Sequence, residues 1–466
     1  MKDVITGKAT KLDLRNLKSI PIRTFWISAF AFFICFFSWF GIVPFMPQVE
    51  KDLGLSPSQK WNAIILAVSG TVFARLLIGK LCDKYGPRLC YTWLLMLGAI
   101  PTILCGLVQT PLQFQLCRLF MGFIGASFVI TQVHTSLMFA SNVVGTANAT
   151  SAGWGNLGGG ANRLGMPLIA AGLVAFGVAE TEVWRYAMIV AGLVCFSMGF
   201  VYYFFTQDTP EGNFSDLKKS GKRIPVKKDK NGFLTAIKDY RVWILFVVYA
   251  VCFGIELTVY GTMDSYLQDT FNLERVTAGN IILGFALMNL FARTLGGYFG
   301  DKSGEKGGLK GRVFFLTLIL IAEGIILSLF SMAGSLIIAI VLLTAFSLAV
   351  QMAEGATFAV VPFINKKAIG SISGIVGAGG NVGAFFAALF LKIKSVAAEE
   401  AAIAANEGRN NEIVEAARAS ASSAAISDAF LWIGFSILAA GLISLAIRFS
   451  KEDEKEAALE LRHQNA

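Results

Sequence analysis

Apolar stretches of about twenty residues, the length of helix that crosses a bilayer core, recur between short polar segments from residue 24 to residue 448. Twelve spans are read in this pattern. They lie at 24–46, 62–81, 90–109, 112–136, 148–176 and 183–206, then at 241–267, 275–299, 312–333, 336–363, 369–393 and 425–448. A polar connector, 207–240, separates the sixth span from the seventh and carries Lys218, Lys219, Lys222, Arg223, Lys227, Lys228 and Lys230. The pattern predicts an all-α polytopic membrane protein with twelve transmembrane helices. Its expected parts are a six-helix half over 1–206, a basic linker over 207–240, a second six-helix half over 241–449 and a tail over 450–466. The alanine-rich, charge-dotted stretch 397–425 reads as a short surface helix or a flexible link outside the bilayer.

Composition agrees with the pattern. Hydrophobic residues make up 55% of the 466 and charged ones only 15%, against about 25% in soluble domains. The net charge of +9 raises nucleic-acid binding only to dismiss it, because the basic residues sit between apolar spans as topology signals. They cluster in the N-terminal tail (Lys8, Lys11, Arg15, Lys18, Arg23), at Lys80, Lys84 and Arg88, at Lys302, Lys306, Lys310 and Arg312, at Lys366 and Lys367, and at Lys451 and Lys455. Alternating spans put all of these on one side, which predicts cytoplasmic termini in the cell (inner) membrane. The seven cysteines lie in or beside spans without metal-type spacing, and there are two histidines. Neither disulfides nor a metal site is expected, nor any cofactor. The first apolar stretch has full spanning length behind a polar start, so no cleavable leader is expected.

The two halves repeat each other. FARLLIGKLCDKYGPR from Phe73 returns as FARTLGGYFGDKSGEK from Phe291, so Arg75, Gly79 and Asp83 correspond to Arg293, Gly297 and Asp301, 218 residues on. GASF ending at Phe128 returns as GATF ending at Phe358, 230 residues on. The glycine-rich SAGWGNLGGGANRLGMP from Ser151 returns as GSISGIVGAGGNVGA from Gly370, with Asn156 matched by Asn381 at 225. Three pairs at nearly one offset map spans two, four and five onto eight, ten and eleven, and a six-plus-six repeat places a substrate site near mid-membrane between the halves. Gly153, Gly155, Gly158 and Gly159, with Gly377, Gly379, Gly380 and Gly383 in the copy, are expected to bring helix backbones together, as small residues do in lipid. Gly79 to Arg88 resembles the signature loop of the major facilitator superfamily. Asp83 and Asp301 there are positioned to meet basic residues or helix N-termini across the interface.

Arg75 and Arg293 lie inside spans, where a charge costs about 2.5–3.5 kcal/mol on insertion scales. Snorkelling to a nearby surface is one reading; their duplication favours two cations facing one cavity. With no acid in view they would repel, so the expected substrate is an anion. The planar arginine fork suits a flat oxyanion, and glycine-packed walls favour a small one. Asn156 and Asn381 add amide donors, while Phe128 and Phe358 either sandwich a flat ion or fill the core.

AGWGNLGGG and GAGGNVG are similar to the paired signatures of the nitrate/nitrite porter family of the major facilitator superfamily. Thr206-Gln207-Asp208 with Pro210-Glu211-Gly212-Asn213, and GATFAVVPFI from Gly355, are similar to its nitrate-uptake branch in plants, algae and cyanobacteria. The resemblance runs from about residue 24 to 393. It implies nitrate held between Arg75 and Arg293, with Asn156, Tyr249, Phe128, Phe253 and Phe358 around it. The long central loop of fungal members and the long tail of plant ones are missing, which points to a prokaryotic source and leaves need for a partner subunit open.

The expected activity is therefore transport of nitrate, and of nitrite, by alternating access in a monomer, coupled to protons. Glu256 and Glu354 are the candidate proton carriers or else hydrogen-bonded structural acids; Asp264 and His134 lie nearer span ends. The alternatives are nitrate/nitrite antiport, an organophosphate/phosphate exchanger and a nitrate sensor. No catalytic constellation supports an enzyme: GAGGNVG lies inside an apolar span, not after a strand.

Overall fold

The computed structural model describes residues 7–55, 57–219, 232–455 and 457, so the lysine-rich middle of the connector and most of the C-terminal tail lie outside the described residues. The chain forms long helices in the expected order. In the first half these are α1 (Ile20–Leu53), α2 (Pro57–Tyr85), α3 (Pro87–Cys105), α4 (Pro111–Met138), α5 (Val144–Ala175) and α6 (Val183–Phe205). The second half comprises α7 (Tyr240–Phe271), α8 (275–307), α9 (309–330), α10 (Leu336–Phe363), α11 (Ile369–Ala405) and α12 (Asn411–Ser444). Among the described residues, ten stretches are long and apolar enough to cross a membrane, one of which, Thr277–Phe330, takes in α9 and nearly all of α8. Glycine-rich α5 completes the twelve columns. Its 32 residues are long enough to span, and its polar and glycine content is what keeps it out of the apolar set.

Two expectations change. The loop between the eighth and ninth spans is helical almost throughout, and the chain reverses at Gly308, whose φ of 64° and ψ of −156° suit only glycine. Residues 397–425 are neither an isolated surface helix nor a flexible link. They are the adjoining ends of α11 and α12, a hairpin that turns near Gly408 (φ 82°). Lys394–Asp428 (2.9 Å) and Arg418–Glu399 (2.8 Å) tie its two arms together.

The halves meet through α2 against α11 and α5 against α8. Close approach is literal here: a Cβ on Gly79 would stand 2.3 Å from the Gly370 carbonyl oxygen, and one on Gly297 2.3 Å from that of Gly145. Two aspartates close the same end of the molecule. Asp83 accepts from the Gly370 and Ser371 amides (both 2.7 Å) and the Ser371 hydroxyl (2.6 Å), at the first turn of α11. Asp301 accepts from the Gly145 amide (3.0 Å), the Thr146 amide (2.6 Å) and the Thr146 hydroxyl (2.7 Å), at the first turn of α5. Each half thus caps a helix N-terminus of the other with a carboxylate, where the positive end of the helix dipole favours it. Arg312, counted above with the topology charges, is buried and donates to Asp301 at 2.5 Å.

The first and last described residues pack near this clamped end, with the Ala457 carbonyl accepting from the Ser141 hydroxyl at 3.1 Å. Residue 9 pairs with the segment after α4 (Ala9 N to Met138 O 3.0 Å, Ala140 N to Ala9 O 2.9 Å). Beside it, His134 is fully engaged: Nε2 donates to the Gln207 carbonyl (2.7 Å), leaving Nδ1 to accept from Tyr202 (2.6 Å). That satisfied ring reads as structural.

Candidate functional site

The glycine helices set the walls. In α5, added Cβ atoms on Gly155 and Gly158 would strike the Phe32 ring and the Phe33 carbonyl of α1, and one on Gly153 would stand 2.4 Å from the Asn289 carbonyl of α8. Gly159 is looser, at 3.4 Å from Phe40. In α11, Cβ atoms on Gly379 and Gly383 would strike backbone carbonyls of α7, those of Phe246 and Ala250. Cβ atoms on Gly380 and Gly377 would reach the Phe253 and Phe128 rings, at 2.5 and 3.5 Å. Each glycine helix is wedged between helices of both halves, and α4, α7 and α10 deliver aromatic rings to the space so enclosed.

Arg75 and Arg293 both lie against one ring, that of Phe253. Their guanidinium carbons lie 5.6 and 5.8 Å from the Phe253 centroid, and Arg75 also lies 5.1 Å from that of Phe128. Both arginines are completely buried, at 0% and 1% exposure, which answers the snorkelling alternative. Tyr249 and Phe253 stack at 5.2 Å and 6°, and Phe128 lies nearly parallel to both. Phe358 meets Phe128 edge to face (4.9 Å, 88°), so these two matched phenylalanines do not sandwich a flat ion in this conformation. Perpendicular contact is a favoured way for two rings to pack.

The pseudo-symmetry breaks at the charges. Arg75 is held by neutral oxygens, donating through Nε to Gly125 O (3.2 Å) and through Nη1 to Gly377 O (2.5 Å), while its buried Nη2 has no partner among the described residues. Arg293 is surrounded by acids. Glu354 of α10 touches it, and Glu256 of α7 lies 3.5 Å away while also accepting from Asn289 (3.0 Å). With its amide turned so that the oxygen faces the guanidinium, Asn156 accepts from Arg293 Nη1 (2.6 Å) and Nη2 (3.1 Å). Asn381, its counterpart, is buried with Nδ2 unpartnered. The premise that no acid neighbours the arginines therefore holds for Arg75 among the described residues and fails for Arg293. Glu256 and Glu354 are far apart in sequence and meet only through the packing of α7 and α10 around α8. The Asp264 side chain lies outside the described residues.

This arrangement offers a planar anion the free Nη2 of one guanidinium, an unpartnered amide donor and aromatic walls, beside a second arginine whose charge is offset by carboxylates. Sequence reasoning missed Asn289, which orients Glu256; the expected Tyr249 is buried, and its hydroxyl has no partner among the described residues.

The sequence matches the Major Facilitator Superfamily over residues 28–388. It is 40% identical over 380 residues to the high affinity nitrate transporter 2.5 of Arabidopsis thaliana, covering 81% of this chain and 75% of that one. It is 32% identical over 442 residues to the nitrate/nitrite transporter NrtP of a Picosynechococcus strain, covering 76% and 82%. In structure it resembles the proton:xylose symporter XylE (TM-score 0.66, 13% identity, 95% of this chain and 99% of that one), a likeness of fold alone. The chain belongs to the major facilitator superfamily, in its nitrate/nitrite porter branch, and is a transporter rather than an enzyme.

Proposed function

We propose that this protein carries nitrate, and nitrite, across the membrane by alternating access, with net uptake coupled to protons. The observation that carries the reading is the pair of buried arginines around Phe253, one of them with a buried donor left over. Nitrate is flat and singly charged, and a guanidinium fork binds such an oxyanion edge-on through two parallel hydrogen bonds. Arg75 supplies the unpaired charge, Asn381 and Tyr249 the remaining polar contacts, and Phe128, Phe253 and Phe358 the dry walls. The names of the relatives support the same substrate.

Arg293 supplies the coupling. A carboxylate and an incoming anion compete for it, so protonating Glu256 or Glu354 frees it for nitrate, and deprotonation expels the ion. These acids favour proton-coupled uptake over nitrate/nitrite antiport, which needs no titratable group at the site. Entry of an anion against a membrane potential costs about 2.3 kcal/mol per charge per 100 mV, a cost that co-transported protons offset. The two halves, 1–206 and 241–449, rock about this site with the connector between them. By the positive-inside rule the clamped end faces the cytoplasm, with both termini there, in the cell inner membrane. In this reading the protein works as a monomer.

The test is uptake into proteoliposomes with nitrate, nitrite, phosphate and an imposed pH gradient varied independently. Saturable nitrate uptake that rises with an inward proton gradient and resists phosphate supports the reading. Nitrate movement that needs nitrite on the other side and ignores pH replaces it with antiport, and phosphate-competed uptake replaces the substrate.

A further inference from the structure

One buried acid has no place in the mechanism so far. Glu323, within α9, is 0% exposed, and among the described residues neither carboxyl oxygen has a hydrogen-bond partner. Its neighbour Gly324 packs α9 against α12, where an added Cβ would stand 2.8 Å from the Gly434 carbonyl and 2.8 Å from Leu438. Among the described residues, the titratable groups that interact with Glu323 are Glu256 and Cys252, four residues apart on α7; α12 packs against the adjacent Gly324 with Gly434 and Leu438. Burying an ionised carboxylate with no protein donor or cation beside it is costly, so this side chain is accommodated as the neutral acid. It sits behind Glu256, which in turn contacts Arg293. The carboxyls thus lead from α9 through α7 to the arginine on α8 and the second acid on α10.

Resting on the proton-coupled reading above, we propose that Glu323 is a proton-holding residue of the transport cycle, loaded in this conformation behind the arginine site. Release breaks its O–H bond and passes the proton to water once the second half repacks and hydrates α9, leaving a carboxylate that water solvates. Glu256 sets when this happens: its negative charge on α7 holds the proton on Glu323, and its own protonation as nitrate takes Arg293 removes that hold.

The experiment compares wild type, Glu323→Gln and Glu323→Asp in proteoliposomes. It reads labelled-nitrate exchange at equal concentrations and, separately, proton entry accompanying net nitrate uptake with a pH-sensitive dye. Glutamine keeps the shape of the neutral acid. Glu323→Gln should therefore retain exchange within about twofold of wild type and lose at least tenfold of the proton entry, with partial recovery in Glu323→Asp. A Gln variant with wild-type proton movement per nitrate overturns the proposal. So does one that loses exchange along with coupling, which marks the residue as structural. Wild-type protein that moves nitrate without protons overturns the coupled reading itself, and the proposal with it.

Discussion

Asp301→Asn probes the clamp between the halves. The carboxylate takes four donors: the Gly145 amide, the Thr146 amide, the Thr146 hydroxyl and Arg312 Nη1. Asparagine retains one oxygen and turns an NH₂ group towards the remaining donors. The first three bonds join opposite halves and exist only while this end is shut. Losing one hydrogen bond to a charged group costs about 1.5–3 kcal/mol, which shifts the closed-to-open ratio about tenfold to a hundredfold. The bond to Arg312 stays within one half, and stranding that buried guanidinium costs about 3–5 kcal/mol of overall stability. Hydrogen exchange in nanodiscs separates the two effects. The amides to follow are those of Gly370 and Ser371, which are bound by Asp83 and do not touch Asp301. If the halves rock as rigid bodies, breaking one clamp speeds exchange at the other by about tenfold or more. Unchanged exchange at Gly370 and Ser371 would refute rigid rocking, since the two clamps would then open independently.

Gly79→Ala and Gly297→Ala should each weaken the same closure. The new methyl meets a backbone carbonyl at 2.3 Å in both, and overpacking of this kind costs about 1–3 kcal/mol; alkylation of a reporter cysteine at the clamped end should quicken in each. Asp208, in the segment after α6, is raised to about 6 by burial, against hydrogen bonds from the Phe214 and Arg88 amides that lower it. A raised carboxyl binds its proton more tightly folded than unfolded, so stability should increase as pH falls from 7 through 6 and level off near 4. Thermal unfolding against pH should show that rise in wild type and a shallower one in Asp208→Asn. Glu256→Gln should leave nitrate binding in place while reducing proton entry per nitrate; unchanged proton movement eliminates Glu256 as a carrier.

Much of this architecture was legible in the chain. Spans of bilayer length, the Arg75/Arg293 offset and the matched glycine helices are local or repeated patterns, and repetition carries tertiary information: residues at matched positions share a cavity. The aspartates could be expected to meet groups across the interface because they recur at matched positions of the repeat. What stayed hidden depends on contacts with no sequence spacing. Glu256 and Glu354 are 98 residues apart, and only the rotation of α7 and α10 about α8 shows that both serve Arg293 while Arg75 keeps backbone oxygens. The edge-to-face angle of Phe128 and Phe358 is likewise a packing result. Gly308 was one glycine in a polar loop, and only its backbone angles show that it alone ends the helix. Glu323 stands out in IAEGIIL as a charge in a span, but that its oxygens lack partners is a fact of packing.

The central claim is that nitrate sits between the two arginines. Nitrate affinity measured on purified wild type, Arg75→Lys and Arg293→Lys tests it most directly, with thermal unfolding confirming that each variant is folded. Lysine keeps the charge and loses the fork, so one charged hydrogen bond worth about 1.5–3 kcal/mol should go, weakening binding about tenfold to a hundredfold and abolishing uptake. Near-normal affinity and uptake in either folded variant would contradict the assignment.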